Sequence, residues 1–195
     1  MDIPFRAALG ALLLAFVTHR AYYSRKYPPA KEETTGEMPG GWASVVTTVL
    51  ALGGLLSLVL FLVSPGWMSW ATLPIPVSFR WMGVIPAAVG FGLLQWSHGA
   101  LREQWSDTPR TTRGQRLVVH GPYRWIRHPI YAAFLLILGA PLLIAGNWFL
   151  GGCFIAMTAL DVHGRIRYEE ETLRSRFGPV YAEYIDRTGL LFPRF

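Results

Sequence analysis

Long uncharged runs separated by short basic stretches set the frame of this chain. Residues 43–63 carry no charge over 21 positions, close to the ~20 that cross a bilayer as a helix. Residues 3–17 are apolar apart from Arg6, whose long stem can carry its charge outward, so they predict a slightly short first span. Residues 81–101 predict a third, with Gln95, Ser97 and His98 near its far end. Polar groups there should face protein or water rather than lipid. Residues 130–145 and 148–160 are two further apolar segments joined by Gly146-Asn147. Each is short for a full span, and the tight turn predicts an antiparallel helical hairpin whose ends extend beyond the lipid. After Asp161, apolar positions recur at helical spacing among charges (Ile166, Leu173, Phe177, Tyr181, Tyr184), with Gly178 as a break. That pattern predicts an amphipathic helix on or under the membrane surface. Leu190-Leu191-Phe192-Pro193 should tuck back against the bundle.

The connections carry their own signals. Residues 27–41 hold prolines, glycines and three glutamates and read as a polar surface loop. Residues 64–78 have no charge but several tryptophans and prolines, the pattern of an interfacial loop. Residues 102–127 form the longest polar connection, where 112–115 suits the turn of a small hairpin. The expected architecture is therefore an all-α membrane protein of about five transmembrane helices. Its first region, 1–101, holds three spans. Its second, 102–195, holds the chemistry.

Composition sharpens this picture. Charged residues make up 15% of the chain, against about 25% in soluble domains, so lipid is the solvent for much of it. The net charge of +6 points to topology rather than nucleic acid, because the basic residues lie between apolar spans. Four of them follow the first span, six lie in 102–127 and six after 161, while 64–78 has none. The positive-inside rule then puts the first three segments in the cytosol and the N-terminus outside. No clear small-residue cleavage site follows the first apolar segment, so it reads as a retained span. The single cysteine, Cys153, provides neither a disulfide framework nor a cysteine metal site.

Chemistry concentrates in His120-Gly121-Pro122-Tyr123-Arg124-Trp125-Ile126-Arg127-His128-Pro129-Ile130-Tyr131, directly before an apolar run. Pro129 suits the first turn of a helix, whose N-terminus favours an anion. Arg127 adds a bidentate donor for carboxylate or phosphate, although Arg124 and Arg127 also fit the bland role of interface charges. His128 suits a helix cap as well as it suits an acidic ligand group or proton transfer. Metal binding is not expected, since no HxxxH-type spacing occurs. The second cluster is Arg165-Ile166-Arg167-Tyr168-Glu169-Glu170-Glu171. Arg165 and Glu169 share a helix face and can simply pair. Three adjacent carboxylates nevertheless repel, so at least one needs an outside cation or hydroxyl.

Taken together, Gly121-x-Tyr123-x-x-x-Arg127-His128-Pro129-x-Tyr131, the apolar hairpin, and Arg165-x-x-x-Glu169-Glu170 with Leu173, Phe177-Gly178, Tyr181 and Tyr184 closely resemble the isoprenylcysteine carboxyl methyltransferase family. Trp105-Ser106 and Leu191-Phe192-Pro193 add to the likeness. The wider relatives are phospholipid N-methyltransferases and other small membrane methyltransferases. The resemblance implies S-adenosylmethionine as methyl donor, S-adenosylhomocysteine as product, and a cofactor pocket built from the hairpin and C-terminal segment rather than a Rossmann domain. It further implies cofactor contacts from Val119, His120, Gly121, Tyr123, His128, Tyr131, Glu169 and Glu170, with Arg127 and Arg165 as catalytic residues nearer the substrate. The implied substrate is lipophilic, enters from the bilayer, and is most simply an isoprenylcysteine-like acid methylated on its carboxylate. A carboxylate acceptor is already ionised at pH 7. A phospholipid amine or small thiol would need a base, for which His128, Glu169 and Tyr131 are candidates. A non-enzymatic membrane subunit or permease is the remaining alternative. A conduit places ionisable groups near mid-span, and residues 43–63 and 132–160 contain none.

Overall fold

The computed structural model describes residues 2–27, 41–102 and 116–194. The 27–41 loop beyond its first and last residues, the Trp105-Ser106 motif and the turn at 112–115 lie outside the described residues. Among the described residues the α-helices are α1 Ile3–Lys26, α2 Trp42–Val63, α3 Val77–Trp81, α4 Val84–Leu101, α5 Pro129–Ala145, α6 Trp148–Phe177 and α7 Pro179–Arg187. Short 3-10 turns occupy Pro65–Ala71 and Gly121–Arg124. By length and apolarity, Ile3–Lys26, Trp42–Val63 and Val77–Leu101 suffice to cross a membrane, and Pro129–Ala145 is a shorter apolar helix. The protein is thus an all-helical integral membrane protein.

The first span is longer than its apolar pattern, because 18–26 contains no helix breaker and continues the helix as a polar, basic end. Arg6 does not simply snorkel to water. It donates to the Leu62 carbonyl at 2.7 Å and the Val63 carbonyl at 3.1 Å, satisfying carbonyls that α2 leaves open at its C-terminus. At the same end Arg80 ties together three elements. It pairs with Asp2 at 2.7 Å, donates to the Ile144 carbonyl at 3.1 Å, and lies 3.7 Å above the Phe5 ring.

The hairpin expected around Gly146-Asn147 is present. Asn147 caps α6 by accepting from the Leu150 N–H at 2.9 Å, and its amide donates to the Met68 carbonyl at 3.1 Å. This pins the aromatic 3-10 turn onto the hairpin's closed end. Elsewhere α4 packs along α5 and α2 along α6. Small residues permit the first of these approaches. A Cβ at Gly90 would sit 2.7 Å from Ile137 Cγ1 and 3.0 Å from the Ala133 carbonyl oxygen. Lipid offers no hydrophobic drive for helix association, so such close packing carries it.

One boundary differs from the pattern in the sequence. The amphipathic stretch after Asp161 is not a separate helix but the second half of α6, which runs unbroken for 30 residues. At 1.5 Å per residue that is about 45 Å, longer than a ~30 Å hydrocarbon core. The change from apolar to charged side chains marks a change of surroundings, and nothing before Gly178 breaks the backbone. At Gly178 (φ 50°) the chain enters a region that side chains with a Cβ rarely adopt. Pro179 then starts α7, which folds back against α6.

Candidate functional site at the open end of the hairpin

The fold-back of α7 and the overhang of α6 bring both sequence clusters together. Glu170, on α6, is the hub. Its Oε1 accepts from Arg127 Nε at 3.1 Å, His128 Nε2 at 2.9 Å and the Tyr181 hydroxyl at 2.8 Å. Arg174 approaches its other oxygen at 3.7 Å. Donors from the loop before α5, from α6 itself and from α7 therefore converge on one carboxylate. Burial alone would raise its pKa, yet His128, Tyr181 and Arg127 hold it at about 2.

His128 stands at the N-cap position of α5, and its side chain bridges the two glutamates. Its Nε2 faces Glu170, and its Nδ1 lies 3.5 Å from Glu169 Oε2. Carboxylate oxygens only accept, so both ring nitrogens are best satisfied as donors, which is the imidazolium form. Burial opposes that charge, but the two carboxylates outweigh burial and raise the pKa of His128. Glu169 has fewer partners. Besides His128 it takes the Tyr131 hydroxyl, and its side chain is 26% exposed against 13% for Glu170. Of these two adjacent carboxylates, Glu169 is the more exposed and the less engaged.

Arg127 is the residue whose setting differs most from expectation. Besides Glu170, its Nη1 donates to the carbonyls of Ile185 at 3.2 Å and Thr188 at 2.5 Å, with Thr188 Oγ1 at 3.5 Å. The backbone joins in, with Arg127 N–H donating to the Gly189 carbonyl at 2.9 Å and His128 N–H to the Leu190 carbonyl at 3.0 Å. The C-terminal segment thus docks beside the motif, as its apolar residues suggested. Arg127 clamps it there and is not free of the glutamates.

Arg165 does not pair with Glu169. Its Nε donates to Asp161 at 2.8 Å, one turn earlier on α6. Among the described residues, its terminal nitrogens take no hydrogen-bond partner. Tyr123 is buried, and its carbonyl accepts from the Tyr184 hydroxyl at 2.6 Å. Gly121 (φ 61°) turns the chain close to Trp96 and Ala100. Val119 and His120 are exposed and stand outside the Glu170 network. The sequence gives no direct sign of Thr188 and Asp161 as partners. Tyr181 stood in the sequence as an apolar position and a motif residue without a partner, although Gly178-Pro179 is the signal that α7 turns back toward Glu170.

The opposite pKa shifts set a pH window. The Glu170 contribution to stability is present above its unfolded value of 4.5 and is lost as pH falls toward about 2. The His128 contribution is complete below 6.5 and fades as pH rises through its raised folded value. Thermal stability in detergent should therefore peak between those two unfolded values. His128→Gln should flatten the alkaline side of a melting-temperature profile and weaken the acid side, because His128 is one of the groups that hold Glu170 low.

Fold and site together define an integral membrane protein of packed helices with a carboxylate-rich polar site at one end of a helical hairpin. A profile of the isoprenylcysteine carboxyl methyltransferase (ICMT) family matches residues 84–175, the stretch that holds most of this site. The whole fold is similar to that of a eukaryotic intramembrane Ras methyltransferase, ICMT, with a TM-score of 0.69 at 17% identity, covering 98% of this chain and 67% of that one. Methanethiol S-methyltransferase 1 of Bradyrhizobium diazoefficiens is 35% identical over 72 residues, 36% of this chain and 24% of that protein. The cobalt-zinc-cadmium resistance protein CzcN of Cupriavidus metallidurans is 35% identical over 119 residues, 59% of this chain and 54% of that protein. The chain spans about half or less of the curated relatives it matches.

Proposed function

We propose that this protein is an S-adenosylmethionine-dependent methyltransferase acting on a lipophilic acceptor that reaches the site from the bilayer. The observation that carries this reading is that the family-matched stretch contains Arg127, His128, Tyr131, Arg165, Glu169 and Glu170, which the fold gathers at one end of an apolar hairpin. The donor set fits the cofactor. Glu169, partly open and backed by Tyr131 and His128, suits a hydroxyl or ammonium group of a cationic ligand. The aromatic faces of Tyr131 and Phe134, 6.5 Å apart, suit an adenine or a sulfonium. The bound cofactor supplies an activated methyl group on a positively charged sulfur.

The residues of this chain then align the acceptor and exclude water. Glu170 and Arg127 do this indirectly, by holding α7 and the C-terminal segment against the hairpin. The orientation with the site and the three basic segments on the cytosolic side completes the proposal. All basic side chains except Arg6 and Arg80 belong to those segments.

Two head groups are in play for the acceptor. A carboxylate is favoured by Arg165, whose terminal nitrogens are available beside Glu169. A thiol is favoured by the commitment of Arg127 to Glu170, which leaves one arginine rather than two for an acid, and by the relative named for methanethiol. Methyl transfer to S-alkyl and S-prenyl thiol-acids of increasing length, run beside phosphatidylethanolamine and short thiols, tests the reading. Efficiency should rise with tail length by up to roughly fourfold per methylene, the equivalent of ~0.8 kcal/mol. A response indifferent to tail length would contradict a lipophilic acceptor.

A further inference from the structure

A second polar cluster lies on the N-terminal spans, outside the Glu170 network. His19 of α1 places Nε2 3.2 Å from Gln95 Oε1 on α4. Its ring packs 4.8 Å from Tyr23 and 5.1 Å from His98, and Tyr23 stacks on His98 at 4.2 Å. The four polar residues gather where the apolar part of α1 meets its polar, basic end, beside the far end of α4. The details of His19 say what the cluster can do. An amide oxygen can only accept, so Nε2 carries the proton and Nδ1 holds a lone pair. That Nδ1 is enclosed and takes no hydrogen-bond partner among the described residues. A buried acceptor without a donor is unfavourable by itself, and a ligand that brings one reaches it when the rings around it part.

The cluster adjoins the proposed site. The next residue, Arg20, lies 5.9 Å from the Phe134 ring, and Phe134 meets both Phe16 of α1 and Tyr131, the partner of Glu169. One aromatic residue thus separates the His19 side from the carboxylate side.

We propose that His19 Nδ1 receives the proton of the acceptor's head group, and that this head is a thiol on an alkyl chain rather than a carboxylate. The inference rests on the methyltransferase reading and chooses between its two head groups. The S–H proton passes to Nδ1 and the sulfur forms its bond to the methyl group as the donor's sulfur–methyl bond breaks. Thiol plus methyl sulfonium thereby give two thioethers and one proton, which His19 releases to water. Gln95 holds the imidazole in the tautomer that can accept.

Two isosteric variants separate this role from a structural one. His19→Gln places an amide N–H near Nε2 and keeps the tie to Gln95 but removes the acceptor at Nδ1. His19→Asn keeps an oxygen near Nδ1 and loses the tie. In nanodiscs, octanethiol, octanoate and methyl octyl sulfide are tested for binding by tryptophan fluorescence without methyl donor, and octanethiol for turnover with it. Wild type should bind octanethiol about threefold more tightly than the sulfide, which lacks the S–H. His19→Gln should abolish that preference and lower kcat by about a hundredfold, with unchanged S-adenosylhomocysteine affinity and melting temperature, while His19→Asn keeps the preference. Normal thiol preference and turnover in His19→Gln would overturn the proposal, as would wild type that takes octanoate in place of octanethiol. Failure of wild type to bind S-adenosylhomocysteine would instead remove the methyltransferase reading, and the donor-free binding series would still decide whether His19 seats a thiol.

Discussion

Glu170→Gln should lower the melting temperature of the detergent-solubilised protein by roughly 6–12 °C. Removing one member of a buried ion pair costs about 3 kcal/mol or more, because the remaining charge is left uncompensated. In a chain of this length each kcal/mol moves Tm by about 2–4 °C. The structure gives reason to expect the full effect. Glu170 is the common acceptor of Arg127, His128 and Tyr181, so the loop before α5 and helix α7 are both held through it. A glutamine keeps the shape and one acceptor oxygen but not the charge, and the Arg127 side chain is only 11% exposed. The acid limb of the stability profile should flatten in the same variant, because the group that titrates there is gone. A melting temperature within 2 °C of wild type would mean that Glu170 is not the hub.

Glu169→Gln should do the reverse. Its carboxylate is more open and, among the described residues, is held by His128 and Tyr131, so folding should depend on it less. Cofactor affinity should depend on it more. Each charge-assisted hydrogen bond to a ligand is worth about 1.5–3 kcal/mol, which is roughly tenfold or more in affinity for S-adenosylhomocysteine. Arg165→Ala is the matched control, expected to spare that affinity while lowering turnover. The two glutamates are adjacent in sequence, and a single pair of melting and titration curves distinguishes their roles. Equal cofactor affinity in wild type and Glu169→Gln would place the carboxylate contact elsewhere.

Much of this arrangement is legible in the chain itself. The uncharged run at 43–63, the start of α5 at Pro129, the hairpin turn at Gly146-Asn147 and the break at Gly178 all follow from local rules of length, proline and glycine. The pairing of Arg127-His128 with Glu169-Glu170 was legible only through resemblance, because spacing does not say which helix faces which. Partner choice escaped for a physical reason. Asp161 and Glu169 both stand one turn from Arg165, and the acid on the N-terminal side is the better i,i+4 partner for a basic residue. Tyr131, reached only through the hairpin, takes Glu169. Arg127 is a similar case, since its load at Ile185 and Thr188 exists only once the C-terminal segment has folded back. The unbroken α6 was obscured because a change in side-chain polarity at Asp161 looks like an element boundary, while the backbone continues through it.

Calorimetric titration of the purified wild-type protein with S-adenosylhomocysteine decides whether this site takes the proposed cofactor. Saturable binding in the micromolar range, about −8 kcal/mol, weakened by Glu169→Gln, is the expected result. No heat and no competition at millimolar ligand would contradict it.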